Sequence, residues 1–293
     1  MILVTGAAGK TGLAILRALS KCETAVRAFV RNERQSESVL AAGASQWVAG
    51  DLRDPAALEA ALSGVQKVYH ICPNMHPDEV VIGRLMLEAA RQAGVEHFVY
   101  HSVLHPQTEK MPHHWNKLRV EELVLESGLP FTILQPTAYV QNLLAYRQQV
   151  CSQGVYAVPY SGDAALSLVD LLDVAAAAVK VLQEDGHIGA TYELVGTMPL
   201  TGKQIAAMLS RLLGRPVRFE RLSAAEWRLQ AERQGLRGYA LDALLKMFAY
   251  YDRYGLVGNP MVLGALLERK PTSLEAFLRR EFVATIERQG EEL

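Results

Sequence analysis

Cysteines, net charge and long apolar runs are scarce in this chain of 293 residues. Its three cysteines are widely spaced and form no Cys-x-x-Cys pair, which argues against a disulfide framework or a thiolate zinc site and favours the reducing cytoplasm. A formal net charge of −1 provides no overall attraction to nucleic acid or to a membrane surface. The apolar runs are shorter than the roughly 18 to 20 residues that span a bilayer. The first of them begins at Ile2, so we expect no targeting peptide.

The amino-terminal segment is the most informative part of the sequence. An apolar run at 2–4 leads into a turn with three evenly spaced glycines, and a helix-like run follows at 13–19. Glycines let a backbone turn tightly and approach a phosphate, and the free N–H groups at the start of the helix hold the anion. This order of strand, turn and helix predicts a site for the pyrophosphate of a dinucleotide. The residues expected to form it are Thr5, Gly6, Ala8, Gly9, Lys10, Thr11 and Gly12.

Strand-like and helix-like segments alternate through the first half of the chain. The predicted strands cover residues 2–4, 24–30, 46–49, 67–71, 97–102 and 131–135. The predicted helices between them cover residues 13–19, 55–62, 79–93 and 115–127. This alternation predicts an α/β fold with a doubly wound parallel sheet that helices cover on both faces.

The pattern changes after Pro136, where a helix-like segment at 139–149 is followed by short strands and then by mostly helical sequence. We therefore expect a first domain over residues 1–150 that binds the dinucleotide. A smaller, mostly helical carboxyl-terminal lobe over residues 151–293 is expected to meet a substrate or a partner. Within it, residues 166–195 are expected to return to the sheet of the first domain.

Six motifs spread over the chain occur together in one known family. They are Thr5-Gly6-x-x-Gly9-x-x-Gly12, Val26-Arg27-x-x-Val30-Arg31-Asn32, Gly50-Asp51-Leu52-x-Asp54, His113-x-x-x-Lys117, the run 128–136 and Pro271-Thr272-Ser273-Leu274-Glu275. With these motifs the chain resembles the NmrA-like family of atypical short-chain dehydrogenases/reductases. The resemblance implies a Rossmann sheet that binds NAD(P). The family includes both reductases and non-catalytic NADP(H) sensors, so the activity has to be argued from the site.

The end of the second predicted strand indicates which dinucleotide is bound. NAD enzymes usually place a carboxylate there for the ribose 2′-hydroxyl, but here the strand is followed by Arg31, with Arg34 nearby. A guanidinium suits a 2′-phosphate, and Arg31 resembles the family residue that contacts it. We therefore expect NADP(H). The alternative is a solvated arginine paired with Glu33 or Glu37.

Other predicted strand ends supply further cofactor contacts. In the family, the residues corresponding to Asp51 and Leu52 border the adenine; the alternative is helix capping, for which Asp54 is better placed. The remaining expected contacts lie where the fourth and sixth strands end, at Cys72, Pro73, Gln135 and Pro136.

Three residues are candidates for catalysis. A typical short-chain dehydrogenase uses a serine with a Tyr-x-x-x-Lys pair, whose spacing puts both side chains on one helix face. This chain has Lys117 and Ser102, but His113 stands in the tyrosine position. Lys117 is expected to bind the nicotinamide ribose. His113 is either a general acid, since its ordinary pKa suits proton transfer near neutrality, or a surface or loop histidine.

Two further patterns favour structural interpretations. His97, His101 and His105 are evenly spaced, but no carboxylate or thiolate completes a ligand set, so we expect no metal. The aromatic stretch 247–251 could line an apolar substrate cleft or belong to the core.

Together these features favour an NADPH-dependent reductase of a small, apolar, electron-poor substrate such as a quinone. Hydride transfer to a quinone needs less help from an acid, which fits the missing tyrosine. Two alternatives stay open: a non-catalytic NADP(H) sensor that acts through a protein partner, and a reductase of phenolic ethers with Lys117 as base. We expect a monomer or homodimer that binds neither nucleic acid nor membranes.

Overall fold

The structure is a computed structural model that describes residues 1–283. Its strands are β1 (Ile2–Val4), β2 (Val26–Val30), β3 (Gln46–Ala49), β4 (Lys67–His70), β5 (His97–His101), β6 (Phe131–Pro136), β7 (Ala138–Tyr139), β8 (Val155–Val158), β9 (Ala165–Leu166), β10 (Leu168–Val169), β11 (Ala190–Leu194), β12 (Leu200–Thr201) and β13 (Arg218–Arg221). Its helices are α1 (Lys10–Leu19), α2 (Ser36–Ala41), α3 (Pro55–Leu62), α4 (Glu79–Gln92), α5 (Pro112–Glu126), α6 (Arg147–Gln153), α7 (Leu171–Gln183), α8 (Gly202–Leu213), α9 (Ala224–Arg233), α10 (Gly238–Tyr254), α11 (Met261–Leu267) and α12 (Leu274–Leu278). Within this range, no helix combines the length and apolar character needed to cross a membrane.

The first compact unit comprises Met1–Pro136 and Val174–Tyr192. Its seven-stranded sheet has the order β11-β6-β5-β4-β1-β2-β3, and neighbouring strands from β6 to β3 are all parallel. The chain runs outward from β1 to β3 and then crosses back to β4, which is the doubly wound arrangement predicted from the sequence. The strand order reverses between β1 and β4, and ligands of such sheets bind in the crevice at that point.

The burial of the central strands explains why they were predictable from apolar runs in the sequence. Ile2, Leu3 and Val4 of β1 are at most 2% exposed, and Phe98 and Val99 of β5 are fully buried. A strand covered on both faces needs apolar side chains in both directions, so it appears as a continuous apolar run. This burial holds the strand ends, and the loops that follow them, in fixed positions.

The second compact unit comprises Thr137–Asp173 and the chain from Glu193 onward. Its short strands pair as β10 with β7, β12 with β9 and β13 with β8. Two buried aspartates bind its last segment: Asp173 accepts from Arg269 Nη2 at 2.6 Å and from the Thr272 amide at 2.6 Å, and Asp170 accepts from Arg280 Nη2 at 2.8 Å. The family motif at 271–275 therefore lies beside a buried carboxylate.

Three predicted helices differ from the structure by three residues or more. The helix expected over 13–19 begins at Lys10. The helix expected over 115–127 begins three residues earlier, because Pro112 occupies its first turn, where a missing N–H costs nothing. The single helix expected over 139–149 is wrong. That stretch holds the end of β7, a 3₁₀ helix over Val140–Tyr146 and the start of α6. Gln141 binds Asp170 at 2.7 Å and the Leu171 amide at 3.1 Å, which ties this stretch to the start of α7.

Candidate dinucleotide-binding and catalytic site

The three glycines of the first loop differ in their backbone conformation and in the space available for a side chain. Gly6 has a φ of +58°, a left-handed conformation that favours glycine. A Cβ on Gly12 would lie 2.4 Å from the Gly6 carbonyl oxygen, so that position has no space for a side chain. Gly9 has an ordinary φ of −78°, and among the described residues a Cβ there would meet nothing closer than Gly6 O at 3.2 Å. A Cβ at Gly9 would require the Gly6 carbonyl to shift by a few tenths of an ångström, so the packing of the fold excludes a side chain less strongly at Gly9 than at Gly12.

The amino terminus of α1 is suited to an anion. The first amides of an α-helix have no partner within the helix itself. In α1 the N-cap residue is Gly9, which has no side chain to bind these amides, and the first turn carries no acidic residue. Thr5 fixes the loop against the end of β4, because its hydroxyl accepts from the Ile71 amide at 2.8 Å and contacts His70 Nδ1 at 2.9 Å. These residues fit a dinucleotide pyrophosphate across the point where the strand order reverses.

Arg31 follows β2 with an exposed side chain. Its backbone amide donates to Gln35 Oε1 at 2.9 Å, while its guanidinium has no ion pair or hydrogen bond among residues 1–283. Pairing with Glu33 or Glu37, the alternative in the sequence, is therefore wrong. Arg27 is structural, since its guanidinium donates to the carbonyls of Ala61 in the last turn of α3 and of Ser63 just after it.

Asp51 and Asp54 take different roles after β3. Asp54 caps α3 by accepting from the Ala56 amide at 3.0 Å, as predicted. Asp51 is half exposed and paired with Arg53 at 2.7 Å. Hydrogen bonds from Arg53 lower the pKa of Asp51 to about 2. Its carboxylate is therefore charged and already engaged, so any adenine contact has to share it with Arg53.

The ends of β4 and β6 lie at the same edge of the sheet. Cys72 and Pro73 follow β4, and burial raises the pKa of the Cys72 thiol, which makes it a packing residue and not a nucleophile. Gln135 and Pro136 end β6, but the Gln135 amide donates to Glu121 at 2.9 and 3.0 Å. The expected role of Gln135 as a cofactor contact stays a prediction, although its amide already has a protein partner.

Lys117 is held by a carboxylate that sequence reasoning missed. Its Nζ donates to Glu79 Oε1 at 2.7 Å and to the His101 carbonyl at 3.1 Å. Glu79 is 1% exposed, and the Tyr100 hydroxyl also donates to it, at 3.3 Å. Glu79 lies in the first turn of α4, where the helix dipole favours a negative charge. The ammonium of Lys117 is thus fixed at the carboxyl end of β5.

Ser102 also contacts a carboxylate that was not predicted. Its hydroxyl donates to Glu121 Oε1, and both residues are buried. Glu121 lies one turn after Lys117 on α5, so the Lys-x-x-x-Glu spacing was a signal that could have identified it. Glu79 binds Lys117 and Glu121 binds Ser102, so each of these two carboxylates supports one of the positions that the resemblance marks as catalytic.

His113 lies on α5 and is only 7% exposed, so its interpretation as a surface or loop residue is wrong. Its ring meets the edge of His114 at 4.4 Å between centroids. Burial, followed by the charges of His114 and Lys117, lowers the pKa of His113 to about 3. At neutral pH this side chain is a neutral imidazole and has no imidazolium proton to donate.

The evenly spaced histidines and the aromatic stretch 247–251 were the two remaining sequence patterns, and two of the histidines are hydrogen-bonded to neighbouring side chains. Tyr69 binds His101 Nδ1 at 2.7 Å, and Thr132 binds His97 Nε2 at 2.8 Å. Within the described residues, no group of three or more histidine, cysteine or acidic side chains is placed to hold a metal. In the second unit, Phe248 lines a cavity of about 520 Å³ while Tyr251 is buried, so the aromatic stretch contributes to both.

The fold and this site define a dinucleotide-binding protein of the short-chain dehydrogenase/reductase type. The sequence profile of the NmrA-like family matches residues 1–278, and the chain belongs to this family. An NAD(P)H azoreductase from Xenophilus azovorans is 34% identical over 251 residues, which cover 85% of this chain and 86% of that protein. Quinone oxidoreductase 2 from Escherichia coli is 31% identical over 276 residues, covering 94% and 96%. The crystal structure of an NADPH-dependent quinone oxidoreductase from E. coli, complexed with NADPH, has a TM-score of 0.85 at 30% identity and covers 96% of this chain and 100% of that chain.

Proposed function

We propose that the protein is an NADPH-dependent reductase of small, apolar, electron-poor acceptors such as quinones. The observation that carries this proposal is the state of His113. It stands in the usual tyrosine position, yet it is buried and neutral. Chemistry at this site therefore has to proceed without an acid at that position, which a quinone allows. The names of the azoreductase and quinone oxidoreductase relatives support the same class of acceptor.

Each part of the site has a task in this proposal. The loop around Gly9 and the start of α1 bind the pyrophosphate, and the guanidinium of Arg31 binds the 2′-phosphate. Lys117 uses its remaining N–H to orient the nicotinamide ribose, while Glu79 keeps the ammonium in place. Bound NADPH supplies a hydride. The cytoplasmic location and the monomeric or homodimeric state stay predictions.

The Glu79–Lys117 pair argues against the phenolic ether reductase. A lysine acting as base has to reach a proton of the substrate, whereas Lys117 Nζ is already bound to Glu79 Oε1 at 2.7 Å and to the His101 carbonyl at 3.1 Å. The sensor alternative is decided by turnover. We expect bound NADPH to be oxidised by menadione in a single-turnover, stopped-flow experiment, faster than by an aldehyde or a phenolic ether. Absence of oxidation by quinones, azo dyes, aldehydes and ethers alike would replace the reductase with a sensor.

Replacing Arg31 should remove the preference for NADPH over NADH. A charge-assisted hydrogen bond contributes about 1.5–3 kcal/mol, so Arg31→Ala should weaken NADPH binding roughly tenfold to a hundredfold and leave NADH binding nearly unchanged. Calorimetric titration with both cofactors measures this. Arg34→Ala is the matched control and should have a smaller effect. Equal affinity of the unmutated protein for both cofactors would contradict the assignment.

A single methyl group at Gly9 should block the pyrophosphate. A Cβ there requires a shift of only a few tenths of an ångström, so Gly9→Ala should lower the free energy of unfolding less than Gly12→Ala does. Loss of two charge-assisted hydrogen bonds should weaken NADPH binding by at least about 100-fold. Gly12→Ala is the contrast, because its Cβ would collide with backbone and should lower stability as well. Normal NADPH binding by a folded Gly9→Ala protein would mean that the glycine loop is only a turn.

A further inference from the structure

We propose that Glu121 stores the proton that completes the reduction and passes it through the Ser102 hydroxyl to the reduced substrate. This inference rests on the reductase function proposed above and deepens it. Ser102 would be the catalytic residue that touches the substrate oxygen. Glu121 would act through Ser102 and is therefore a positioning and proton-supplying residue.

The geometry points to a directed pair of oxygens. Ser102 follows β5 at the carboxyl edge of the sheet, and its hydroxyl contacts Glu121 Oε1. That hydroxyl has no second partner within residues 1–283. The Gln135 amide bonds to both Glu121 oxygens, at 2.9 and 3.0 Å, and fixes the plane of the carboxyl group. Among the described residues, the Ser102 hydroxyl is the one hydroxyl that is hydrogen-bonded to Glu121, and it stands at the position that the resemblance marks as the catalytic serine.

The charges around Glu121 allow it to hold a proton. Burial raises the pKa of Glu121, while hydrogen bonds from Ser102 and Gln135 and the charge of Lys117 act against this rise. Lys117 lies one turn earlier on α5, and its ammonium forms an ion pair with Glu79 at 2.7 Å. Tyr100 on β5 is the other titratable group that interacts with Glu121, and burial raises its pKa well above the ordinary value, so it stays neutral. Neither group supplies Glu121 with an unshared counterion.

The proton has a balanced path. A quinone that accepts a hydride gains one hydrogen and two electrons and still needs one proton to become a hydroquinone. When Glu121 is protonated, Glu121 Oε1 donates to Ser102 Oγ, and the Ser102 hydroxyl turns from the carboxylate to the substrate oxygen. The bond between Glu121 Oε1 and its proton breaks as Ser102 Oγ takes that proton. Ser102 releases its own hydrogen to the negatively charged substrate oxygen, and a neutral hydroquinone results. Glu121 is left as a carboxylate that accepts from the Ser102 hydroxyl, and water returns its proton.

The pair Glu121→Gln and Glu122→Gln tests the proposal with the same substitution at neighbouring residues. Glu122 is half exposed and paired with Arg119 at 3.2 Å, so its substitution should leave every readout unchanged. In a pH titration of the free protein, infrared spectroscopy should show the carbonyl band of a buried protonated carboxyl group, and this band should appear over the same pH range in which turnover rises. This band should disappear in Glu121→Gln and persist in Ser102→Ala. It needs neither cofactor nor turnover.

Kinetics with menadione supply the second readout. Glu121→Gln should lower kcat roughly 100-fold, the low end of what general acid catalysis contributes, without changing the NADPH affinity. Activity of the unmutated protein should be present below the pKa of Glu121 and be lost as the pH rises through it, whereas the Glu121→Gln profile should be flat. Glu121→Asp should restore part of the pH dependence, which a purely structural role would not do.

The outcomes separate this inference from the proposed function. No turnover of any acceptor by the unmutated protein would overturn the reductase, while the infrared band would still report the stored proton. Turnover with the same rate and pH profile in Glu121→Gln would overturn the inference and leave the reductase standing. A band that appears only well below the pH range in which turnover rises would also overturn it.

Discussion

Lowering the pH from about 7.5 to about 5.5 should bring this protein to the edge of unfolding. Five histidines of the first unit are buried, and burial lowers the pKa of each to about 3 or about 4: His70, His97, His101, His113 and His114. In the unfolded chain the same imidazoles have a pKa of about 6.5. The folded state therefore keeps them neutral at pH values where the unfolded state protonates them.

The direction of the effect follows from proton linkage. Because the unfolded state binds more protons between pH 6.5 and the folded pKa values, stability is complete above about pH 6.5 and falls as the pH drops. At pH 5.5 each histidine costs about 1.4 kcal/mol, and the five together cost about 7 kcal/mol. Small and medium-sized proteins have only about 5–15 kcal/mol in total. Glu121 acts in the opposite direction, but it is one group against five.

Urea unfolding at about pH 7.5, 6.5 and 5.5 measures this loss. His113→Phe is the informative variant, because it removes one of the five protonation sites. Below pH 6.5, the free energy of unfolding of this variant should fall with decreasing pH by about 1.4 kcal/mol per pH unit less than that of the unmutated protein. The same variant should retain menadione turnover within about tenfold, since a neutral imidazole contributes no acid. Stability that does not change over this pH range would show that these histidines are protonated in the folded protein.

Removing the charge of Lys117 should have the second largest effect. Lys117→Met leaves the carboxylate of Glu79 buried, at 1% exposure, without its counterion. Breaking a buried ion pair from one side costs about 3–5 kcal/mol, so the free energy of unfolding should fall by that amount. Turnover should be lost as well, because Lys117 orients the nicotinamide ribose. Urea unfolding and single-turnover kinetics measure the two effects separately.

Two controls distinguish the pair from its function. In the double variant Lys117→Met/Glu79→Gln no charge is left unpaired, so most of the stability should return while turnover stays lost. Lys203→Met breaks a pair of similar length, 2.8 Å to Asp163, that is exposed on both sides, and should cost less than about 1 kcal/mol. A loss in Lys117→Met no larger than in Lys203→Met would show that Glu79 is not held as a buried carboxylate.

The sequence predicted the sheet and the glycine loop because their causes are local. The run Ile2–Val4 is apolar throughout because β1 is covered on both faces. Gly6 has a positive φ, and its position between a strand-like and a helix-like segment indicates the tight turn that requires it. Lys117 was found by its spacing from His113, which is again a property of one helix. The extent to which Lys117 and His113 are buried was not predictable in this way, because it depends on chain segments that are far apart in sequence.

The two buried glutamates show where local reasoning ends. Glu79 lies in the first turn of a helix, where a solvated acidic residue is ordinary, and its partner Lys117 is 38 positions away. Glu121 lies next to Glu122, and the one local feature that distinguishes the buried carboxylate from the exposed one is its spacing of one helical turn from Lys117. His113 was misjudged for the same reason: a histidine near a helix start is usually solvated, but here the packing of α5 covers it.

The division of the chain into units also constrains the order in which the protein can fold during synthesis. The chain leaves the first unit after Pro136 and returns to it at Val174, so the outer edge of β6 stays unpaired until β11 has emerged from the ribosome. An open strand edge is a template for association with other chains. The second unit waits longer, because Asp170 and Asp173 meet Arg280 and Arg269 only when the last segment has been made. The first unit is therefore complete only after β11 has been translated, and the second only after Arg280 has been translated.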